Sequence, residues 1–157
     1  MSVSLQLSYF DNIENPHNNF LYDDPVRAHI PAYMRYAHNR GVFTLTHHNY
    51  FQPEAVSCVV YTGHVPDSEE TLFDDTRPMR SYDIAVFYTV WSYPRSINGA
   101  GRKLINAAVD HIRWFKPFVK RVVTLSPKTE MARRFHTLNG AFEFRENETT
   151  INYEYKI

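Results

Sequence analysis

Two of the chain's five glycines, Gly99 and Gly101, stand within three residues of each other in the stretch SINGAG (96–101), and Arg102 and Lys103 follow at once. An amphipathic run begins there. Glycines ahead of a helix let the backbone take φ > 0 and approach a ligand closely. The helix start itself offers free N–H groups and about half a positive charge. The chemistry such a stretch can do is anion binding, with a phosphate as the natural ligand. Arg102 and Lys103 oppose the helix dipole by roughly 0.3–1 kcal/mol each unless an anion compensates them. The plainer alternative is a turn that only redirects the chain, with both cations in solvent. The Walker pattern GxxxxGK[ST] is absent, and the dinucleotide fingerprint would need glycine where Leu104 stands.

His136 is the second residue with chemical potential. It lies in SPKTEMARRFHTLNG (126–140), which reads as a helix capped by Ser126, with Pro127 in the first turn and Gly140 past the end. Met131, Ala132, Phe135 and Leu138 form the expected buried stripe, with His136 at its edge one turn above Ala132. There it is expected to titrate near neutrality. His47 and His48 would point to opposite faces of a strand. With no HExxH pattern and no paired cysteines, no metal is expected. No GxSxG nucleophile elbow occurs either. Cys58, the single cysteine, sits in AVSCVVY and reads as a core thiol; it fits a reducing, cytoplasmic compartment. Tyr153 and Tyr155 read as a sheet face rather than a platform for bases.

The elements that must position these residues can be placed along the chain. VSLQLSYF reads as a first strand, and residues 11–24 as a loop rich in Asn, Asp and Pro. Asp24 followed by Pro25 predicts a helix to about Asn39, stopped by Gly41. VFTLTHH and AVSCVVYTG read as strands, and residues 64–81 as an acidic, mobile or partly structured connection. DIAVFYTVW (83–91) is apolar on both faces and so central and covered on both sides. Leu104, Ile105, Ala108, Val109, Ile112 and Phe115 give the helix after the glycine turn one apolar stripe. RVVTL (121–125) then makes a strand parallel to 83–91. AFEFR and TINYEYKI close the chain as a hairpin, with Ile151, Tyr153, Tyr155 and Ile157 on the buried face. The order is strand, helix, three strands, helix, strand, helix, two strands: a mixed sheet with helices on it.

The 157 residues suit one domain, 1–157, with a sizeable core. Apolar content of 43%, charged content of 22% and aromatic content of 15% are those of a globular chain. No apolar run approaches a membrane span, and the start lacks the pattern of a signal peptide. Net charge is zero, which argues against nucleic acid as the partner. The zero is uneven: residues 1–80 carry 5 Lys/Arg against 10 Asp/Glu, a net of −5, and residues 81–157 carry 12 against 7, a net of +5. That split suits an anion site on the second half.

A central strand, a glycine turn into an amphipathic helix, a short strand, and a helix with Ala-x-x-x-(aromatic)-x-x-x-Gly together resemble the GNAT superfamily of acyl-CoA-dependent N-acyltransferases. The resemblance covers roughly residues 82–157 by motif and the first half by element order. The family's pyrophosphate loop reads [Gln/Arg]-x-x-Gly-x-[Gly/Ala]. Gly99 and Gly101 fit it, Ser96 stands where the family prefers Gln or Arg, and Arg95 is one residue early. The second stretch, Asn-x-x-Ala-x-x-x-Tyr-x-x-x-Gly, appears as TEMARRFHTLNG. Ala132 and Gly140 fit, Thr129 replaces Asn, and His136 replaces the Tyr that is often the general acid toward the CoA thiolate.

The resemblance implies an α/β fold of the α+β type: a mixed, mostly antiparallel central sheet with one parallel pair and helices on both faces. It implies acetyl-CoA as co-substrate and transfer of its acetyl group to a primary amine, of a protein or a small molecule, by direct attack. Ser96, Asn98, Gly99, Ala100, Gly101, Arg102 and Lys103 would hold the pyrophosphate, with Thr129, Ala132 and Arg133 also facing CoA. The strand 83–91 would splay from 121–125, with pantetheine in the gap and the backbone of Val90 and Trp91 polarising the thioester carbonyl. His136 and Tyr88 would be catalytic, with Glu54 and His47 as further candidates for the base. Loops 11–24 and 145–150 would border the acceptor. Neither nucleic acid nor membrane is an expected partner, and a homodimer is allowed. Two alternatives stand beside this reading. One is a catalytically silent GNAT-like domain that binds CoA or a partner protein or serves a structural role. The other is an acyl-CoA enzyme of different chemistry on the same fold, such as a decarboxylase.

Overall fold

The β-branched and aromatic runs fold as strands, and the run of helical period after the glycine turn folds as a helix. The computed structural model describes residues 4–47, 52–74 and 81–157. In chain order the elements are β1 (Leu5–Phe10), 3₁₀ turns at Asn18–Asp23 and Ala32–Arg35, β2 (Arg40–His47), β3 (Pro53–Thr62), α1 (Glu69–Leu72), β4 (Ile84–Ser92), α2 (Ala100–Phe115), β5 (Arg121–Thr124), β6 (Ser126–Pro127), α3 (Glu130–Leu138), β7 (Phe142–Glu146) and β8 (Thr150–Tyr155). His48 and residues 75–80 of the acidic connection lie outside the described residues.

The strands form one mixed sheet in the order β1-β2-β3-β4-β5-β8-β6, with β7 paired to β8. β4 and β5 run parallel from Ile84↔Arg121 to Phe87↔Thr124, as a strand–helix–strand connection requires. β1–β2, β5–β8, β6–β8 and β7–β8 are antiparallel. By its contacts the chain divides into two compact units, Met1–Val59 with Thr89–Asp110 and Val60–Tyr88 with His111–Ile157.

In the first unit, β2 and β3 are buried almost throughout and Cys58 lies in the core, as its apolar setting implies. The helix expected from Asp24 to Asn39 does not form. Asp24 does behave as a cap, its Oδ1 accepting the N–H groups of Val26 (2.8 Å) and Arg27 (2.9 Å). Pro31 then withholds an N–H and is itself extended, with ψ 157°, so only the short Ala32–Arg35 turn follows. Tertiary bonds take over. Arg35, fully buried, pairs with Asp24 at 2.8 Å and donates to the carbonyls of Arg27 and Ile30. The hydroxyl of Thr89 in β4 completes the group by donating to Asp24 at 2.8 Å.

In the second unit, α1 closes a capping box between Ser68 and Thr71, so the acidic connection is partly structured. Ser126 does not cap α3. It pairs with β8 as part of β6, its hydroxyl sharing a hydrogen bond with Thr124, and Thr129 caps the helix three residues later, accepting the N–H of Ala132 at 3.2 Å. The far end fits the expected glycine stop. Gly140 has φ +97°, its N–H meets the carbonyl of Thr137, and the N–H of Ala141 meets that of His136.

The hairpin of β7 and β8 forms, with Tyr153 and Tyr155 buried, but the strict alternation fails. Asn152 is fully buried and Ile157 is exposed. Asn152 donates to the carbonyls of Thr124 (2.8 Å) and Pro66 (2.9 Å) and accepts from Arg145 and Asn147. An amide with all its bonds made is as buriable as an apolar side chain.

Candidate functional site

Beyond β4 the chain enters the glycine turn under close control. The Ser96 N–H meets the Tyr93 carbonyl at 2.9 Å, and the Ser96 hydroxyl accepts the Tyr93 N–H at 2.9 Å. That hydroxyl also donates to the carbonyl of Glu54 at 2.6 Å. The Glu54 carboxylate accepts the N–H of Ile97 at 3.0 Å, and its other oxygen meets His47 Nε2 at 2.8 Å. Arg95 reaches the carbonyl of Pro53 at 3.2 Å and stacks over the Tyr93 ring at 4.4 Å. The start of β3 therefore clamps residues 95–97.

Gly99 follows with φ +75°, and nothing lies within 4 Å of where a Cβ would stand. The turn asks for glycine there because of backbone conformation, not space. The Ala100 N–H meets the Ile97 carbonyl at 3.2 Å, and the Lys103 N–H meets the Gly99 carbonyl at 2.9 Å, where the helical ladder begins. The N–H groups of Gly101 and Arg102 precede that ladder. Arg102 and Lys103 are exposed, and the first turn holds no acid. Buried Leu104, Ile105 and Ala108 seat the helix. Of the expected phosphate ligands, the Ser96 hydroxyl and the Ala100 N–H are committed inside the turn. The groups positioned to meet an anion are the N–H groups of Gly101 and Arg102 and the two cations.

At the end of β4, Trp91 is buried and Val90 half-buried. The Trp91 indole N–H reaches the Tyr93 hydroxyl at 3.4 Å, and that hydroxyl donates to Asp23 at 2.9 Å. Burial pushes the Tyr93 hydroxyl up to about 12. Tyr88, in the second unit, is buried edge-on against Phe73 with ring centroids 5.4 Å apart.

His136, also in the second unit, is 5% exposed. Its Nδ1 is 2.7 Å from the Tyr155 hydroxyl, and its ring stacks on Tyr153 at 5.1 Å. The inward face of α3 is Ala132, Phe135, His136 and Asn139, one position round from the expected stripe, so Met131 is 82% exposed and Leu138 stands out beside it. The hydrogen bonds of His136 and Asn139 to Tyr155 make these polar side chains buriable. Burial holds the His136 imidazole down at about 4 and the Tyr155 hydroxyl up at about 12. The ring is neutral at pH 7, which corrects the expectation of titration near neutrality. Thr129 and Arg133 are exposed, Arg133 beside Glu130 at 3.8 Å.

No family model matches the chain, and no curated protein matches it. Solved structures do. A malonyl-CoA decarboxylase from Agrobacterium vitis aligns with a TM-score of 0.78 at 19% identity, over 98% of this chain and 60% of that one. The chain thus spans about three fifths of that relative's length. The GNAT domain of S. lividans PAT aligns with a TM-score of 0.67 at 11% identity, over 98% of this chain and 90% of that one. The chain has a GNAT-like fold. An acetyltransferase of Bacillus subtilis, solved in complex with CoA, shares it with a TM-score of 0.64 at 11% identity, over 98% and 99% of the two chains.

Within this GNAT-like fold, the glycine turn heads the helix that follows β4, as the motif reading implied. Sequence reasoning missed the clamp on that turn. Glu54 lies 43 positions from Ile97, and no local pattern announces the pairing. It missed the Asp24–Arg35–Thr89 group for the same reason.

Proposed function

We propose that this chain binds an acyl-CoA and acts on its acyl group. The observation that carries the reading is the start of α2. Left-handed Gly99, the leading N–H groups of Gly101 and Arg102, and two exposed cations form an end fitted to a pyrophosphate. The shared fold with an acetyltransferase solved with CoA supports it. The finer reading is N-acyl transfer. A primary amine attacks the thioester carbonyl, the amide N–C bond forms, the C–S bond breaks, and CoA leaves as a thiol after taking up a proton.

His136 was the expected proton donor in that step. At pH 7 its imidazole carries a proton in roughly one molecule per thousand, from a value of about 4. Imidazolium donation is therefore a poor description of its role. A second reading is decarboxylation of a malonyl-type acyl-CoA, favoured by the likeness to the Agrobacterium vitis decarboxylase. In that reaction the C–C bond breaks, carbon dioxide leaves, and the electron pair delocalises into the thioester before C2 takes a proton.

The test has two stages. Calorimetry with acetyl-CoA should show binding by the wild type and none by Gly101→Val, which puts a branched side chain in the first turn where the phosphate would approach. No heat and no thermal shift with the wild-type protein would end the proposal. Incubation with acetyl-CoA and a panel of primary amines, followed by thiol release, then separates N-acyl transfer from conversion of malonyl-CoA to acetyl-CoA read by mass.

A further inference from the structure

The stripe of α2 breaks at its end. Phe115, expected on the buried face, is 70% exposed; Trp114 beside it is 79% exposed, and Phe118 in the following turn is 49% exposed. Single apolar residues scattered on a surface are ordinary, but three large exposed rings within five residues, at a helix end and the turn after it, are a concentration. All three lie in one compact unit and on ordered backbone. The Lys116 N–H meets the Ile112 carbonyl at 2.9 Å, the Val119 N–H meets the Lys116 carbonyl at 2.9 Å, and Val119 is buried beneath the turn. The Lys116 ammonium lies 5.2 Å from the Tyr61 ring and 6.0 Å from the Phe118 ring.

The charges here lean positive: residues 110–121 contain Arg113, Lys116, Lys120 and Arg121 against the single acid Asp110. Arg121 is paired with Glu154 at 2.7 Å. Arg113 suits the negative end of the helix dipole, which accounts for that cation but not for the rings. A ring four fifths exposed projects from the surface instead of lining a pocket, whereas protein partners draw most of their affinity from anchors held in packed pockets. Projecting rings interleaved with cations match an anionic lipid interface, where the rings take the boundary layer and the cations take the headgroups.

We propose that residues 113–120 dock the chain on an anionic lipid surface. Trp114, Phe115 and Phe118 enter the interface, and Arg113, Lys116 and Lys120 meet the headgroup phosphates. This sets aside the expectation of no membrane partner. That expectation rested on the lack of a spanning run, and none of the described helices is long and apolar enough to cross a membrane. Docking on a surface requires no span.

The test is sedimentation with vesicles of phosphatidylcholine plus phosphatidylglycerol, against vesicles of phosphatidylcholine alone. The chain has two tryptophans, Trp91 buried and Trp114 exposed, so a change of emission on binding reports Trp114. The expected result is partition onto the anionic vesicles only, a blue shift of that emission, and release by high salt. The variants Trp114→Ala/Phe118→Ala and Lys116→Glu/Lys120→Glu should each lower partition at least roughly tenfold, with circular dichroism unchanged. Absence of partition, equal partition onto neutral vesicles, or undiminished binding by either variant would overturn the proposal. So would a concentration-dependent dimer in which Trp114 emission is already shifted without vesicles, since a second copy would then own the patch.

Discussion

At the start of α3, Thr129 accepts the N–H of Ala132 at 3.2 Å and Glu130 sets a carboxylate in the first turn. At the start of α2, Gly99 has no side chain to cap with, and the first turn carries Arg102 and Lys103 and no acid. The first arrangement satisfies the helix end from within the chain. The second adds positive charge to a positive dipole with no acid in its first turn, and on the reading proposed above a bound anion balances it. Sequence composition alone, basic in both neighbourhoods, does not separate the two helix starts. The position of each charge relative to the first helical residue does.

The largest expected effect sharpens this difference at acid pH, where the α3 region carries a liability. Buried His136 has a folded value of about 4 against an ordinary 6.5. The unfolded chain therefore binds the proton first, so the stabilisation is complete above about 6.5 and is lost as pH falls toward about 4, in all about 3 kcal/mol. Urea melts at several pH values should show this slope in the wild type and its loss in His136→Phe. Equal slopes would mean that the ring is already solvated in the folded state.

Next in size, Glu54→Ala should cost about 2 kcal/mol by urea unfolding, because Ile97 N–H and His47 both lose their acceptor. Glu54→Gln, which keeps one acceptor, should cost less. Thr129→Ala removes the α3 cap and should cost about 1 kcal/mol; acetyl-CoA affinity is expected to hold, against the resemblance's placing of Thr129 toward CoA. A loss of affinity there would make that helix start part of the binding surface and break the comparison.

The smallest effect is the most diagnostic. Arg102→Glu and Lys103→Glu should each raise the stability of the ligand-free protein by roughly 0.3–1 kcal/mol while weakening acetyl-CoA. Arg113→Glu, at the other end of α2, should lower stability by a similar amount and leave acetyl-CoA alone. Effects of one sign at all three positions would show that these cations do not sense the ends of the helix.

The elements legible in the sequence were those whose burial is apolar and continuous. β3, β4 and the stripe of α2 from Leu104 to Ile112 follow from periodicity alone. The parallel β4–β5 pair follows from the helix between them. Errors fell where polar side chains are buried by tertiary partners. His136 and Asn139 displaced Met131 and Leu138 from the inner face of α3, and Asn152 joined the core of the hairpin. The residues 24–39 failed differently. Their cap was genuine, and Pro31 with buried Arg35 overrode it. For the site, the glycines and cations of the turn could be read locally. The commitment of Ser96, Ala100 and Ile97 inside it could not, since it depends on β3.

The hydrogen bond from Thr89 to Asp24 spans 65 positions of sequence. On a ribosome adding about 5–20 residues per second, Asp24 waits roughly 3–13 s for its hydroxyl partner to be made. Arg35 is available much sooner, so the carboxylate and guanidinium can meet in water well before β4 exists to exclude it. The 24–35 segment therefore spends early synthesis as a solvated ion pair on a chain with no helix to hold it. The bond that completes the Asp24 group can form only once β4 has been made.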